Sequence, residues 1–231
     1  KSEKIDRSKF LRLDKNERVV KFESKFLSFL KKSINTYSLA AYPNIEKIYD
    51  LLSKKIRISK NMICLTAGSD LAIKTCIEFF TKQKSRIITL SPTFGMVDVY
   101  SKLYNLNNLK IGYNKKLELD KKKLFNNLNK SISLVILANP NSPTGTIIDK
   151  KVLLSIISKC NRLKIPIVID EAYYGFYKFS YLRYVKRFRY LIIIRTFSKV
   201  YGLAGLRAGY IVAQKNIIEK LYKYKPMYEI N

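Results

Sequence analysis

The sequence has no histidine, three cysteines and only 17 acidic residues among 231. Lack of histidine excludes histidine-ligated metal sites and every catalytic triad built on imidazole. Cys64, Cys76 and Cys160 have no CxxC spacing and lie within apolar stretches. They read as reduced core thiols, which suits a cytoplasmic protein. No apolar run approaches the roughly 20 residues of a membrane-spanning helix, and the opening Lys1-Ser2-Glu3-Lys4 does not resemble a secretion signal. No membrane partner is expected. The shortage of acids against 45 Lys and Arg leaves a net charge of +28, which at first suggests an anionic partner such as nucleic acid. The basic residues are spread along the chain and form no arm or stripe, however. A composition rich in Lys, Asn and Ile of the kind AT-rich coding produces accounts for them, so nucleic-acid binding is not expected.

An apolar fraction of 47% is enough for a sizeable core. Short β-branched runs alternate with longer amphipathic ones, the rhythm of repeated βα units and a mainly parallel sheet. Strands are predicted at residues 62–66, 86–90, 109–112, 134–138, 166–170, 190–195 and 209–213. Helices are predicted at 45–55, 70–80, 97–103, 151–162 and 216–224, with Ser69 and Asp149 as N-caps. Residues 1–42 show one clear helix, 23–32, and read as an arm and part of a small lobe. Residues 43–231 read as one large α/β domain. The chain starts without methionine and stops without a clear domain end, as expected of a fragment.

Polar residues gather at the predicted strand ends, where open α/β sheets bind ligands. The run RTFSKVYGLAGLRAGY (195–210) places Lys199 directly after the small hydroxyl residues Thr196 and Ser198, just past a buried strand, with Arg207 eight residues on. Such a constellation can hold a phosphorylated aldehyde covalently. Asp170 ends another buried strand, and a carboxylate there needs a partner, for which a protonated heteroaromatic nitrogen is one candidate. NPNSPTG (139–145) is a rigid turn of amide and hydroxyl groups. TAGSD (66–70) opens a helix whose free N–H groups suit a phosphate.

AYPN, TAGSD, SPTFGM, NPNSPTG, IDEAYYGF and RTFSKVYGLAGLRAGY occur in the order and approximate spacing found in fold-type I pyridoxal-phosphate aminotransferases. The chain from about Leu13 onward resembles this family, and most of all its histidinol-phosphate aminotransferase subgroup. The resemblance implies a three-layer αβα domain around a seven-stranded, mostly parallel sheet whose last strand is antiparallel. It implies pyridoxal 5'-phosphate as cofactor and transamination between an amino acid, glutamate first, and an oxo acid or oxo-phosphate. Lys199 is implied to bond the cofactor and later shuttle a proton. Asp170 is implied to pair with the pyridine nitrogen and Tyr173 to hydrogen-bond the ring's phenolic oxygen. Thr196, Ser198 and Arg207, with the backbone at Ser69 and Asp70, are implied to hold the phosphate, and Phe94 to stack on the ring. Tyr42 is implied to reach the cofactor phosphate of a second subunit, hence a homodimer.

Two departures from the family pattern stand out. The asparagine that usually precedes PTG is replaced by Ser142, so the contact to the ring oxygen is assigned to Asn141, with Ser142 the alternative. The small domain that supplies the substrate-carboxylate arginine in the family is expected to be missing from this sequence, which stops at Asn231. Bland readings compete at each position: Asp170 as a turn cap, Phe94 and Tyr173 as core aromatics, Tyr42 as a packed surface residue, Arg207 in a structural ion pair. Decarboxylation or β-elimination on the same scaffold is a second reading. A DNA-binding regulator is a third, but no helix-turn-helix module lies upstream of Leu13.

Overall fold

The computed structural model describes residues 6–225 and Ile230. Seven strands form one sheet: β1 (Ile63–Thr66), β2 (Arg86–Leu90), β3 (Asn107–Ile111), β4 (Ile132–Ala138), β5 (Ile167–Asp170), β6 (Leu191–Thr196) and β7 (Gly209–Val212). Their order is β1-β7-β6-β5-β4-β2-β3. All seven fall where apolar, β-branched runs predict them, with ends displaced by at most two residues. Pairs from β6 through β3 are parallel, whereas β7 runs antiparallel to both of its neighbours, β6 and β1. Six strands therefore point their carboxyl ends at one edge, and β7 starts there.

Alternation along each strand builds the three layers, because successive side chains leave a strand on opposite faces. One face carries Ile63, Leu65, Val135, Leu137, Ile167, Ile169, Leu191 and Ile193. These pack against α3 (Glu46–Ile56) and α7 (Lys150–Leu163), for example through Leu52, Leu153 and Ile157. The opposite face carries Cys64, Leu134, Ile136, Val168, Ile192, Ile194 and Ile211. It packs against α4 (Gly68–Phe80), α5 (Gly95–Leu103) and α8 (Lys215–Leu221), through Ile73, Cys76, Val97 and Ile217. Both faces of the central strands are thus dry, which is why they read as unbroken apolar runs. The three cysteines are free and buried, and burial pushes the Cys160 thiol up to about 12.

Asp149 caps α7 as its position predicts, accepting from the N–H groups of Lys151 and Val152 at 2.9 and 3.1 Å. Ser69 does not cap α4. That helix starts earlier, at Gly68, and Ser69 lies inside its first turn. The cause is Gly68, whose φ of +78° lets the chain turn directly out of β1. Two short helices go beyond the sequence expectation: α2 (Thr36–Ala40), closed by an Asn35–Ser38 capping box, and α6 (Lys121–Asn127), which buries only Leu124. Helix α1 (Ser24–Ser33) matches the expected arm helix, and neither it nor α2 buries a residue.

The antiparallel β7 is wedged between β1 and β6, and its first residue has no room for a side chain. A Cβ on Gly209 would lie 2.7 Å from the Gly68 carbonyl carbon and 2.8 Å from the Arg195 carbonyl oxygen. Both are backbone atoms, which cannot swing aside as a flexible side chain can. Gly209→Ala should therefore cost about 2–3 kcal/mol of stability, read as a lower urea midpoint. An unchanged midpoint would contradict the close packing of β7 on the start of α4.

Candidate active site

A cavity of about 720 Å³ opens at the carboxyl edge of the sheet. Asp170 enters it from the end of β5, Thr196 and Ser198 from the end of β6, and Ser69 and Asp70 from the first turn of α4. Lys199, Arg207, Tyr173 and Phe94 complete the wall from the loops between. Nine residues singled out in the sequence, from Ser69 to Arg207, therefore meet in one place, although up to 138 positions separate them. Parallel strands make this possible, since each delivers its terminal side chain to the same edge.

Asp170 is 5% exposed and accepts one hydrogen bond, from the Ala172 N–H at 2.9 Å. Among the described residues it forms no ion pair within 4 Å. Burial dominates its electrostatics and pushes the carboxyl up to about 7; the Ala172 N–H opposes this, Glu171 adds to it, and Lys199 opposes it. Burial raises the neighbouring carboxyl as well, but there Arg195, the Tyr181 N–H and Ser180 oppose it. Glu171 is buried but fully engaged, by Arg195 Nη2 at 2.9 Å and Nε at 3.0 Å, by the Tyr181 N–H at 2.6 Å and by the Ser180 hydroxyl at 2.8 Å. Two adjacent acids thus serve as an anchored strut and an unpaired acceptor facing the cavity.

The amine of Lys199 donates to the carbonyl oxygens of Lys15 at 2.7 Å and Asn16 at 3.5 Å, and lies 5.7 Å from the Tyr173 ring centre. The Tyr173 hydroxyl accepts from Asn16 Nδ2 at 2.7 Å. Thr196 Oγ1 and Ser198 Oγ share a hydrogen bond of 2.9 Å, and the Ser198 N–H bonds Thr196 Oγ1 at 3.1 Å. Tyr100 donates to Asp70 Oδ1 at 3.0 Å and fixes that side chain. The Arg207 guanidinium lies against Gly68, where a Cβ would be 2.8 Å from Nη2. Arg207 forms no ion pair among the described residues, so a structural salt bridge does not account for it.

Two singled-out residues lie elsewhere. Asn141 is 2% exposed and spends its amide inside the turn, donating to the Pro92 carbonyl at 3.0 Å and to Thr144 Oγ1 at 2.8 Å while accepting from Thr93 Oγ1 at 2.8 Å. Ser142, one position on, lines the cavity instead. Tyr42 is 74% exposed and outside its own chain's cavity. One part of the wall has no counterpart in the sequence reading: residues 14–18 form a roof of which Asn16 and Lys15 touch the site. The long-range contact leaves no local periodicity. The one sequence trace is Asn16 itself, a residue type that tolerates its observed φ of +50°.

An amine, an arginine at a helix start and an unpaired carboxylate share this cavity, the groups that a phosphorylated carbonyl compound with a cationic ring would need. The family Aminotransferase class I and II matches residues 22–228, and the chain belongs to that family. It is 37% identical over 225 residues to the histidinol-phosphate aminotransferase of Buchnera aphidicola subsp. Diuraphis noxia, covering 95% of this chain and 59% of the relative. The histidinol-phosphate aminotransferase of Sinorhizobium meliloti in complex with pyridoxal-5'-phosphate has the same fold, with a TM-score of 0.84 at 19% identity, over 94% of this chain and 59% of that one. L-threonine-O-3-phosphate decarboxylase from Porphyromonas gingivalis shares it too, with a TM-score of 0.77 at 20% identity over 92% and 66%. The chain spans about three fifths of the length of the curated relatives it matches.

The lone carboxylate of Asp170 makes a prediction about stability. Its folded value lies above the ordinary 3.8, so its contribution is fully present at low pH and is lost as pH rises from about 4 to about 7. Without ligand, Asp170→Asn should flatten this slope and gain on the order of 2–4 kcal/mol at pH 8 relative to the parent. Urea unfolding across pH 4–8 measures it; parallel curves would contradict the burial of an unpaired acid.

Proposed function

We propose that this chain is the cofactor-binding part of a pyridoxal-phosphate aminotransferase similar to histidinol-phosphate aminotransferase. Its reaction is transfer of an amino group between an amino acid, glutamate first, and an oxo acid or oxo-phosphate. The observation that supports this most is the buried, unpaired Asp170 facing the cavity that also holds Lys199 and Arg207. The donor set fits the cofactor: an amine for its aldehyde, a cation and free N–H groups for its phosphate, a carboxylate for its ring nitrogen.

When bound, pyridoxal phosphate supplies an aldehyde that captures an amine and a protonated ring that draws electrons from the α-carbon. Asp170 would hold the proton on the ring nitrogen, and such a cation would favour the ionised form of a carboxyl that burial raises to about 7. Arg207, the Thr196 and Ser198 hydroxyls and the N–H groups of Ser69 and Asp70 hold the phosphate charge. Phe94 would cover a ring face, and Tyr173 with Ser142 would address the phenolic oxygen. Lys199, whose amine donates to the roof carbonyls, would supply the amine for the cofactor's aldehyde and the base for the proton at the substrate α-carbon.

The exposed Tyr42 suits donation to the cavity of a second copy, so the active form is a homodimer with shared sites. Residues 1–42 are the arm and part of a small lobe, and 43–231 the cofactor domain. The location that the family resemblance implies is the cytoplasm. Among the described residues no helix is long and apolar enough to cross a membrane. The fold shared with a phosphothreonine decarboxylase supports a second reading, loss of carbon dioxide from a phosphorylated amino acid.

Mixing the chain with pyridoxal phosphate should give a yellow absorption band that Lys199→Ala abolishes, and borohydride should fix the label on Lys199. Arg207→Ala should keep the band but weaken cofactor binding about 10- to 100-fold, as expected for losing charge-assisted hydrogen bonds. Pyridoxamine phosphate formed on adding glutamate supports transamination, and carbon dioxide from a phosphorylated amino acid supports the second reading. A folded chain without the band contradicts both.

A further inference from the structure

The roof is a compact knot held by its own charges. Arg7 pairs with Asp14 at 2.7 Å and Glu17 at 3.1 Å, and Arg12 reaches Glu17 at 3.3 Å and the Arg18 carbonyl at 3.0 Å. Asn16 stands at its tip in the left-handed region. The knot touches the domain at Tyr173 through the Asn16 amide, at Lys199 through the Lys15 carbonyl, and at Gly202, where Arg18 packs so closely that a Cβ would lie 2.7 Å from its Cδ. Two of these three points are groups of the proposed chemistry.

A tyrosine hydroxyl has one proton to give and lone pairs to receive, whereas an amide nitrogen only gives. The Asn16 Nδ2 bond fills an acceptor position of Tyr173 Oη at 2.7 Å, and among the described residues that oxygen has no second partner. Its own proton is left for the cavity. We infer that Asn16 is a positioning residue, which orients the Tyr173 hydroxyl as a hydrogen-bond donor toward the ring oxygen of the bound cofactor. The inference rests on the cofactor reading above. It extends the working site to residues 14–18 and gives the arm a role beyond covering the cavity.

Two substitutions separate this role from mere structure. Asn16→Gly removes the amide while keeping a residue at ease with positive φ. Asn16→Asp offers only acceptors and reclaims the Tyr173 proton. In the cofactor-free chain labelled with 3-fluorotyrosine, the ¹⁹F resonance assigned to position 173 by Tyr173→Phe should move in Asn16→Gly. In the chain loaded with pyridoxal phosphate, the pH at which the yellow band interconverts should rise, since a donor to the ring oxygen favours the deprotonated form. The expected rise is about half a unit in Asn16→Gly and about one unit or more in Asn16→Asp, and both should vanish in a Tyr173→Phe background. An unmoved ¹⁹F resonance, an unmoved midpoint, or shifts that persist without the Tyr173 hydroxyl would overturn the inference and leave the cofactor reading standing. So would an Asn16→Asp midpoint equal to the parent's, because the amide oxygen would then be what faces Tyr173. No band in the folded parent would overturn the cofactor reading and the inference with it.

Discussion

A carboxylate buried at the end of a parallel strand without a cation beside it is costly, and the rest of this site is organised around that one debt. Asp170 sits where β5 stops, with a single backbone N–H as compensation. The protein does not spend its ample positive charge on it. The buried Arg195 is committed to Glu171 next door, and Lys199 is held by the roof. A chain with 45 basic residues thus leaves a buried carboxylate facing an open cavity, as a receptor for a cationic ring does.

The other half of the site follows from the one antiparallel strand. Because β7 enters between β1 and β6 from the opposite direction, the loop before it carries Lys199 near its start and Arg207 near its end, on the same edge as the start of α4. Gly68 and Gly209 allow the two segments to touch through bare backbone, and Gly68 also leaves space for the Arg207 guanidinium. Topology thus brings Arg207, the start of α4 and Asp170 to one cavity, with little demand on any single side chain.

Strands were legible because their two faces are both buried: Ile192, Ile193 and Ile194 alternate between the two cores, and such runs have few other meanings. Helices α2 and α6 were not, being held by a capping box and one buried leucine rather than by an apolar stripe. Start positions also slipped, since Gly68 turns the chain into α4 before Ser69 can cap it. In the site, residues at strand ends were legible from their motifs. The turn 139–145 was recognised, but its sequence does not reveal that Thr93 and Pro92, far upstream, consume the Asn141 amide and leave Ser142 on the cavity wall. Asn16 was illegible for the same reason: its partner Tyr173 is 157 residues away.

The central claim is that Asp170 is an acid awaiting a cation, and its own titration tests that most directly. With carbon-13 at the aspartate side-chain carboxyls and Asp170→Asn for assignment, the cofactor-free chain should show this carboxyl titrating near pH 7. On adding pyridoxal phosphate it should stay ionised through neutral pH. A carboxyl that titrates in the ordinary range with and without the cofactor would contradict the account.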